Sequence, residues 1–406
     1  MRELQLIRSG KLAWSDRDAP VLREPTDAIV RPFIAGRCDG DTLPIHHRVS
    51  RLLQAGLATR LVDPAIGCIC GAVPFKGPFA IGHEGVAQVL AVGAGVQDVR
   101  VGATVVVPWA VSCGACDQCR RGLTSKCATT TTRTLAAYGF GSACGSWGGM
   151  VSDALRIPFA DHMLVAVPPD VPPLRVAAAG DNLADAWRSV VTPLRERPGG
   201  SVLVIGGGAQ SIGLYAAGLA AAHGAGAVHY VDDDPRRRRI AEAFGARTLP
   251  AQAGSRRRRA TTRRYDVVVE ASSRAAGLRR AIRSLASGGV CTAVGYYLAT
   301  GTRVPVMHVR DRRHAPSWCL ARASGAPGPA RLRRAHRLSG RAGDDPHGAL
   351  GRRTERVRGT DDEAGPAARP RVTPPRRRGG GRSAQRSSWM RTRLPAGSRK
   401  AQSRTP

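Results

Sequence analysis

Up to about residue 300 the chain alternates short apolar runs with polar or glycine-rich breaks, and the character of the runs changes partway. Over residues 1–185 the runs mix Val, Ala and Ile with frequent Gly and Pro, as in "EGVAQVLAVGAGV" and "VGATVVVP". Short runs between turn residues predict a compact β-rich domain. Over residues 186–305 the pattern becomes "SVLVIGGG", "AVHYVDDD", "YDVVVEAS" and "GGVCTAVGYY", each an uninterrupted apolar run of the kind a strand buried on both faces requires. Between them "SIGLYAAGLAAAHGA" and "DPRRRRIAEAFGA" carry helical periodicity. Strand and helix in alternation predict an α/β unit with a doubly wound parallel sheet. Beyond Val306 no period survives, so residues 306–406 form a third, basic region predicted to be disordered.

Composition narrows the picture. At 406 residues and 42% hydrophobic content the chain has room for two domains with real cores. The opening "MRELQLIRSGKLAW" has no apolar run of signal-peptide length, and no later stretch is long and apolar enough to span a bilayer. These features predict a cytoplasmic protein, in which clustered cysteines read as metal ligands rather than disulfides.

Charge separates the tail from the body. The chain carries a net charge of +32, and residues 307–406 hold 24 arginines and Lys400 against seven acids, a net +18. That stretch lacks Ile, Phe, Tyr and Asn altogether and is dominated by Arg, Ala, Gly and Pro, the pattern of a GC-rich gene read out of frame. We therefore expect the reading frame to have been lost near Val306, which would leave the doubly wound sheet incomplete at its carboxyl end. A rival reading makes the protein an inactive relic whose basic tail binds nucleic acid or another polyanion. Ser255–Arg264 shows the same bias and reads as a charged loop.

Chemistry enters at "SCGACDQCRRGLTSKC", where Cys113, Cys116, Cys119 and Cys127 follow the spacing CxxCxxCx7C. Four soft thiolates so close in sequence reach one tetrahedral ion, and zinc fits them without redox chemistry. With every position filled by protein the site is predicted to be structural. Further on, "VLVIGGGAQSIG" closes a strand and opens a helix, the setting in which glycines cradle a dinucleotide diphosphate. Gly206, Gly208 and Gly213 are the candidates, although Gly213 comes late and makes the motif GxGx4G. Asp232, at the end of the next strand, stands where a carboxylate reads a ribose diol, which favours NAD, while Arg236 to Arg239 keep NADP open.

Cys38, and His83 with Glu84 in "IGHEG", are weak signals alone, but their order relative to the cysteine cluster is specific. Together with "GPFAIGHEGVAQVLAVG", "GSWGGMVSD", "VPPDVPPLRVAAAGDNLADAW" and the glycine turn, they resemble the zinc-dependent medium-chain alcohol dehydrogenases over about residues 1–295. The resemblance implies a chaperonin-10-like (GroES-like) catalytic domain over 1–185 with a structural zinc lobe at 112–128, and a Rossmann NAD(P)-binding domain over 186–305. It implies two zinc ions per chain, a homodimer or tetramer, and hydride transfer between a small alcohol, polyol, aldehyde or ketone and NAD(P). It also makes Cys38, His83 and Asp181 ligands of a catalytic zinc, Asp181 standing where many relatives have Cys, and makes Glu84 a supporting carboxylate or a fourth ligand.

Lesser candidates remain. The hydroxyl that relays protons in the family is replaced by Gly40, with Asp41, Thr42, His46 and His47 nearby. Trp147 reads either as a wall of the substrate pocket or as a buried aromatic. Cys68 and Cys70 read as ordinary thiols in a long span between Cys38 and His83 that is expected to be a substrate-side loop.

Overall fold

Antiparallel pairing organises the amino-terminal half of the computed structural model, which describes residues 1–46, 49–66, 75–131, 135–251 and 263–305. In chain order its strands are β1 (Arg2–Arg8), β2 (Lys11–Asp16), β3 (Ala28–Ala35), β4 (Phe79–Ala80), β5 (Gly85–Val92), β6 (Thr104–Val107), β7 (Leu155–Ile157) and β8 (Val165–Ala166). They make a three-stranded sheet in the order β2-β1-β4 and a five-stranded sheet in the order β7-β3-β5-β6-β8. Val30, Val89, Val105, Val107, Met150 and Ile157 fill the core of this half.

The register of β3 against β5 aligns two segments that carry candidate ligands. Ala35 faces Gly85 and Ile34 faces Val86, so the segments just outside that end of the pair, Gly36 to Cys38 and His83 to Glu84, lie side by side. The Gly36 N–H donates to the Glu84 carbonyl at 2.8 Å.

The second half is a parallel sheet of β9 (Ser201–Ile205), β10 (Ala227–Val231), β11 (Arg247–Leu249), β12 (Tyr265–Glu270) and β13 (Leu285–Ala293) in the order β11-β10-β9-β12-β13. The order reverses at β9, and at such a switch point ligands bind beyond the carboxyl ends of the strands. Strands β9 and β10 are buried at every residue but the first, as their sequence predicts. The helix Gln210–Ala222 follows β9 and buries Gly213, Leu214, Ala216, Ala217, Gly218, Leu219 and Ala220, residues small enough to let it lie close on the sheet. The helix Pro235–Ala243 follows β10, capped by the Asp234 side chain, which accepts from the N–H groups of Arg236 and Arg237. Between the halves runs an apolar stretch from Asn182 to Arg195, passing from α to π and back to α geometry.

Within the parallel-sheet half, β11, only three residues long, and the helix Ala275–Arg283, whose buried stripe is Leu278, Ala281 and Ile282, were not anticipated from the sequence. One expectation is corrected. The span between Cys38 and His83 is not a plain loop, because its described residues fold into the helices Asp39–His46 and Val49–Ala58. Its next segment pairs with the chain leaving β13: Val62 bridges Ala299, and the Asp63 N–H donates to the Leu298 carbonyl at 2.8 Å. Hydrogen bonding to another part of the chain, rather than solvent, decides where this span lies. The tail 306–406, Cys68, Cys70, His47 and most of the arginine run Ser255–Arg264 fall outside the described residues.

Candidate active site

Three donors converge where β3 ends and β5 begins. Cys38 Sγ lies 3.2 Å from His83 Nε2, and the same nitrogen lies 3.3 Å from Asp181 Oδ2. The ligand atoms of all three residues fall within 4.8 Å of one another. Asp181 arrives from a third segment. Gly180, just before it, passes so close to the Val107 carbonyl that a Cβ would stand 2.3 Å from the oxygen. Only glycine brings the chain that near to the end of β6.

The surroundings orient these donors. His83 is fully buried, and its Nδ1 lies 3.0 Å from Asp41 Oδ1, whose other oxygen accepts the Cys38 N–H at 3.1 Å. A proton on Nδ1 leaves the Nε2 lone pair facing Cys38 and Asp181, the tautomer a metal requires. Burial opposes protonation of His83, but Asp41, Cys38 and Asp181 outweigh it and hold its pKa well above the usual range. A cation among these three anionic or lone-pair donors would take the place of that proton, so the donor set fits a divalent metal such as zinc. Burial raises the Cys38 thiol, partly offset by His83. Phe140 packs against the imidazole, the rings tilted by 43° with centroids 4.8 Å apart.

Glu84 is also fully buried, yet its oxygens turn to Asn182, accepting from the backbone N–H at 3.1 Å and the side-chain amide at 2.8 Å. Burial first, and then Asp181, push its pKa up to about 8. In this arrangement it braces the turn that carries Asp181. Thr42 donates its hydroxyl to the Cys38 carbonyl at 3.2 Å.

The four cysteines of the lobe bring their Sγ atoms within 4.8 Å of one another. The Cys113 N–H points at Cys127 Sγ (3.3 Å), the Cys116 N–H at Cys113 Sγ (3.4 Å) and the Ala128 N–H at Cys116 Sγ (3.4 Å). Backbone donors aimed at sulfur stabilise thiolates. Burial works against Cys127, but hydrogen bonds from Thr130 and from the N–H groups of Cys113 and Thr129 bring it down to about 6. Burial pushes Cys119 up to about 12. Four thiols drawn together in one knot fit a tetrahedral zinc, which would hold them as thiolates.

The third group lies at the switch point of the parallel sheet. Gly207 adopts φ +147°, and a Cβ on Gly206 would meet Tyr230 Oη at 2.4 Å and Asp232 Oδ2 at 2.5 Å. The turn therefore leaves a surface free of side chains before the helix Gln210–Ala222, as a dinucleotide diphosphate needs. Gly213 lies inside that helix, its would-be Cβ 3.3 Å from that of Ala271, so it serves helix–strand packing. Asp232 is buried. Its carboxylate takes both Nε and Nη2 of Arg237 at 2.7 Å, the Tyr230 hydroxyl at 2.9 Å and the Asp234 N–H at 2.9 Å. Burial opposes ionisation, but these donors hold its pKa below the usual range.

The structure thus gathers the sequence-predicted residues into three places: Cys38, His83, Glu84 and Asp181; the four cysteines; and Gly206, Gly208, Gly213 and Asp232. Sequence reasoning missed Asp41 as the partner of His83, Asn182 as the partner of Glu84, and the ring of Phe140. The spacing of Cys38 and Asp41, one turn apart at the start of a helix, was the available signal for the first. Trp147 lies elsewhere, on a cavity of about 190 Å³ also lined by Asp27, Thr130, Arg156 and Phe159. None of the three metal-site donors lines that cavity. Among the described residues no helix is long and apolar enough to cross a membrane.

Comparison with known proteins agrees with this geometry. Residues 24–169 match the family "Alcohol dehydrogenase GroES-like domain" and residues 211–323 match "Zinc-binding dehydrogenase", the second match running past Val306. The chain is 31% identical over 312 residues to the "Probable zinc-binding alcohol dehydrogenase Rv1895" of Mycobacterium tuberculosis, covering 76% of this chain and 71% of that protein. It is 32% identical over 162 residues to a "Glutathione-independent formaldehyde dehydrogenase" of Pseudomonas aeruginosa, covering 39% of this chain and 40% of that one. Among solved structures, the alcohol dehydrogenase TADH from Thermus sp. ATN1 superposes with a TM-score of 0.66 at 30% identity, covering 84% of this chain and 90% of its own. Nothing in these comparisons supports the reading of a relic with a nucleic-acid-binding tail.

Proposed function

Because the chain belongs to the zinc-dependent medium-chain alcohol dehydrogenase family, an oxidoreductase family with a GroES-like and a Rossmann-like domain, we propose that it oxidises a small alcohol or polyol, or reduces the matching aldehyde or ketone, with NAD in preference to NADP. The observation that carries this reading is the convergence of Cys38, His83 and Asp181 from three distant segments, with the far nitrogen of His83 engaged by Asp41. These three would hold a catalytic zinc, and Cys113, Cys116, Cys119 and Cys127 a structural one. When bound, the zinc supplies Lewis acidity to the substrate oxygen and the nicotinamide supplies a hydride acceptor.

The chain's own residues do the rest. Asp41 keeps the imidazole in one tautomer and one orientation. Glu84, through Asn182, fixes the turn that aims Asp181. Phe140 packs against the His83 imidazole. Gly206 to Gly208 let the backbone approach the cofactor's diphosphate, and Asp232 would read the ribose diol once Arg237 gives way. We place the reaction in the cytoplasm, and the basic residues beyond Val306 add only a weak, non-specific attraction for polyanions.

Elemental analysis of the purified chain tests the metal assignment, two zinc ions per chain being expected. In turnover assays with a panel of alcohols, polyols and formaldehyde, Cys38→Ala, His83→Ala and Asp181→Ala should each abolish NAD reduction while NADH binding persists. Full zinc and full turnover in Asp181→Ala would overturn its role and make Glu84 the next ligand to test.

A further inference from the structure

The dinucleotide helix has an unusual cap. Ala209, its own N-cap residue, has only a methyl that cannot accept a hydrogen bond, and the cap comes instead from the catalytic half of the molecule, 171 positions away in sequence. Asp39, the neighbour of Cys38, accepts the Gln210 N–H at 2.8 Å and the Gln210 side-chain amide at 3.0 Å. Arg237 steadies the bridge by donating to Gln210 Oε1 at 3.1 Å.

Three other N–H groups of the turn already donate to backbone carbonyls. The Gly206 N–H donates to the Val231 carbonyl (2.8 Å), Gly208 to Ser272 (3.1 Å) and Ala209 to Ala271 (2.8 Å). Gln210 carries the first N–H of the helix, and its acceptor is a side chain that can move away. A carboxylate and a diphosphate oxygen are the same kind of acceptor, and one set of donors cannot serve both.

We propose that Asp39 is a built-in competitor of the cofactor's diphosphate: its carboxylate clasps the helix Gln210–Ala222 to the catalytic half of the cofactor-free protein and is displaced when the dinucleotide binds, so that Asp39 sets cofactor affinity. This rests on the dehydrogenase reading above. It follows that cofactor binding breaks one tie between the two halves next to Cys38, and that the displaced anion stays near the phosphates and disfavours them further.

The test uses the full zinc-loaded chain and two variants. Asp39→Asn keeps an oxygen that accepts the Gln210 N–H while losing the charge, and Asp39→Ala removes the cap. Calorimetric titration with NADH and with ADP-ribose, which carries the diphosphate without the nicotinamide, should show both variants binding roughly tenfold tighter than the parent. Adenosine, which lacks the diphosphate, should bind all three alike. In thermal melts Asp39→Ala should lower the midpoint of the cofactor-free protein and leave that of the NADH-saturated protein no lower than the parent's. Unchanged or weaker NADH and ADP-ribose binding in both variants, with a parent that binds them, overturns the role of Asp39 alone. No dinucleotide binding by the parent or either variant, despite a full complement of zinc, overturns the dehydrogenase reading and this inference with it.

Discussion

Asp41 shows how far the candidate metal site depends on a residue outside its three donors. Its two oxygens tie the His83 ring to the Cys38 backbone, so one carboxylate fixes two donors. Asp41→Ala should lower the zinc affinity of this site about ten- to a hundredfold, as loss of such a partner does elsewhere. Competition with a chelator measures this, and unchanged zinc retention would remove Asp41 from the site. Glu270, at the end of β12, is a different kind of residue. It is fully buried, one oxygen accepts from the N–H and hydroxyl of Ser272, the other has no partner among the described residues, and burial pushes its pKa up to about 7 from an ordinary 4.5. The folded chain thus keeps a proton that the unfolded chain has lost, so stability falls as pH rises from about 4.5 to about 7 and then levels off. Glu270→Gln cannot ionise and should remove this slope, gaining on the order of 3 kcal/mol above neutral pH. Denaturant titrations at acid and alkaline pH check it, and parallel pH profiles for parent and variant would refute it.

At the scale of elements, the cysteine lobe has little but its sulfurs to hold it. Its regular structure is the four-residue helix Asp117–Arg120 and the 3-10 turn Thr124–Lys126, both far too short to persist alone. Metal binding and local folding are then one event. Cys116→Ala should lose one of the two zinc ions and expose the lobe to trypsin at Arg120 and Arg121, while the parallel sheet resists. Mass spectrometry of a limited digest reads this, and an uncut lobe would show that packing suffices without the metal. Strands β9, β10 and β12 were legible as elements because burial on both faces demands an unbroken apolar run. Strand β11 was not, because three residues carry no period.

For the whole molecule the uneven charge matters most. The net +18 over residues 307–406 should retain the full chain on a heparin column until modest salt, through release of condensed counterions. Deleting residues 307–406 should remove most of that retention and leave both zinc sites filled. Undiminished retention after deletion would place the polyanion-binding charge on the body instead. Within the body, a single apolar cluster joins Val86 and Val106 of the antiparallel sheet to Val202 and Val204 of the parallel one, by way of Val176, Leu183 and Trp187. The two halves therefore share buried surface as well as the clasp at Asp39.

The sequence by itself determined the two halves, the cysteine lobe and the glycine turn, because each is written in neighbouring residues: a period, a spacing, a strand that runs into a helix. Cys38, His83 and Asp181 were legible only through resemblance, since nothing local distinguishes them from ordinary residues. The tertiary structure decided which of their atoms meet, because β3–β5 register and the close passage of Gly180 past Val107 bring together positions 45 and 98 residues apart. It alone decided that Asp41 holds His83, that Arg237 fills Asp232, and that Asp39 caps a helix of the other half. A hydrogen bond between distant segments depends on where folding places both partners, and no period along the chain records it.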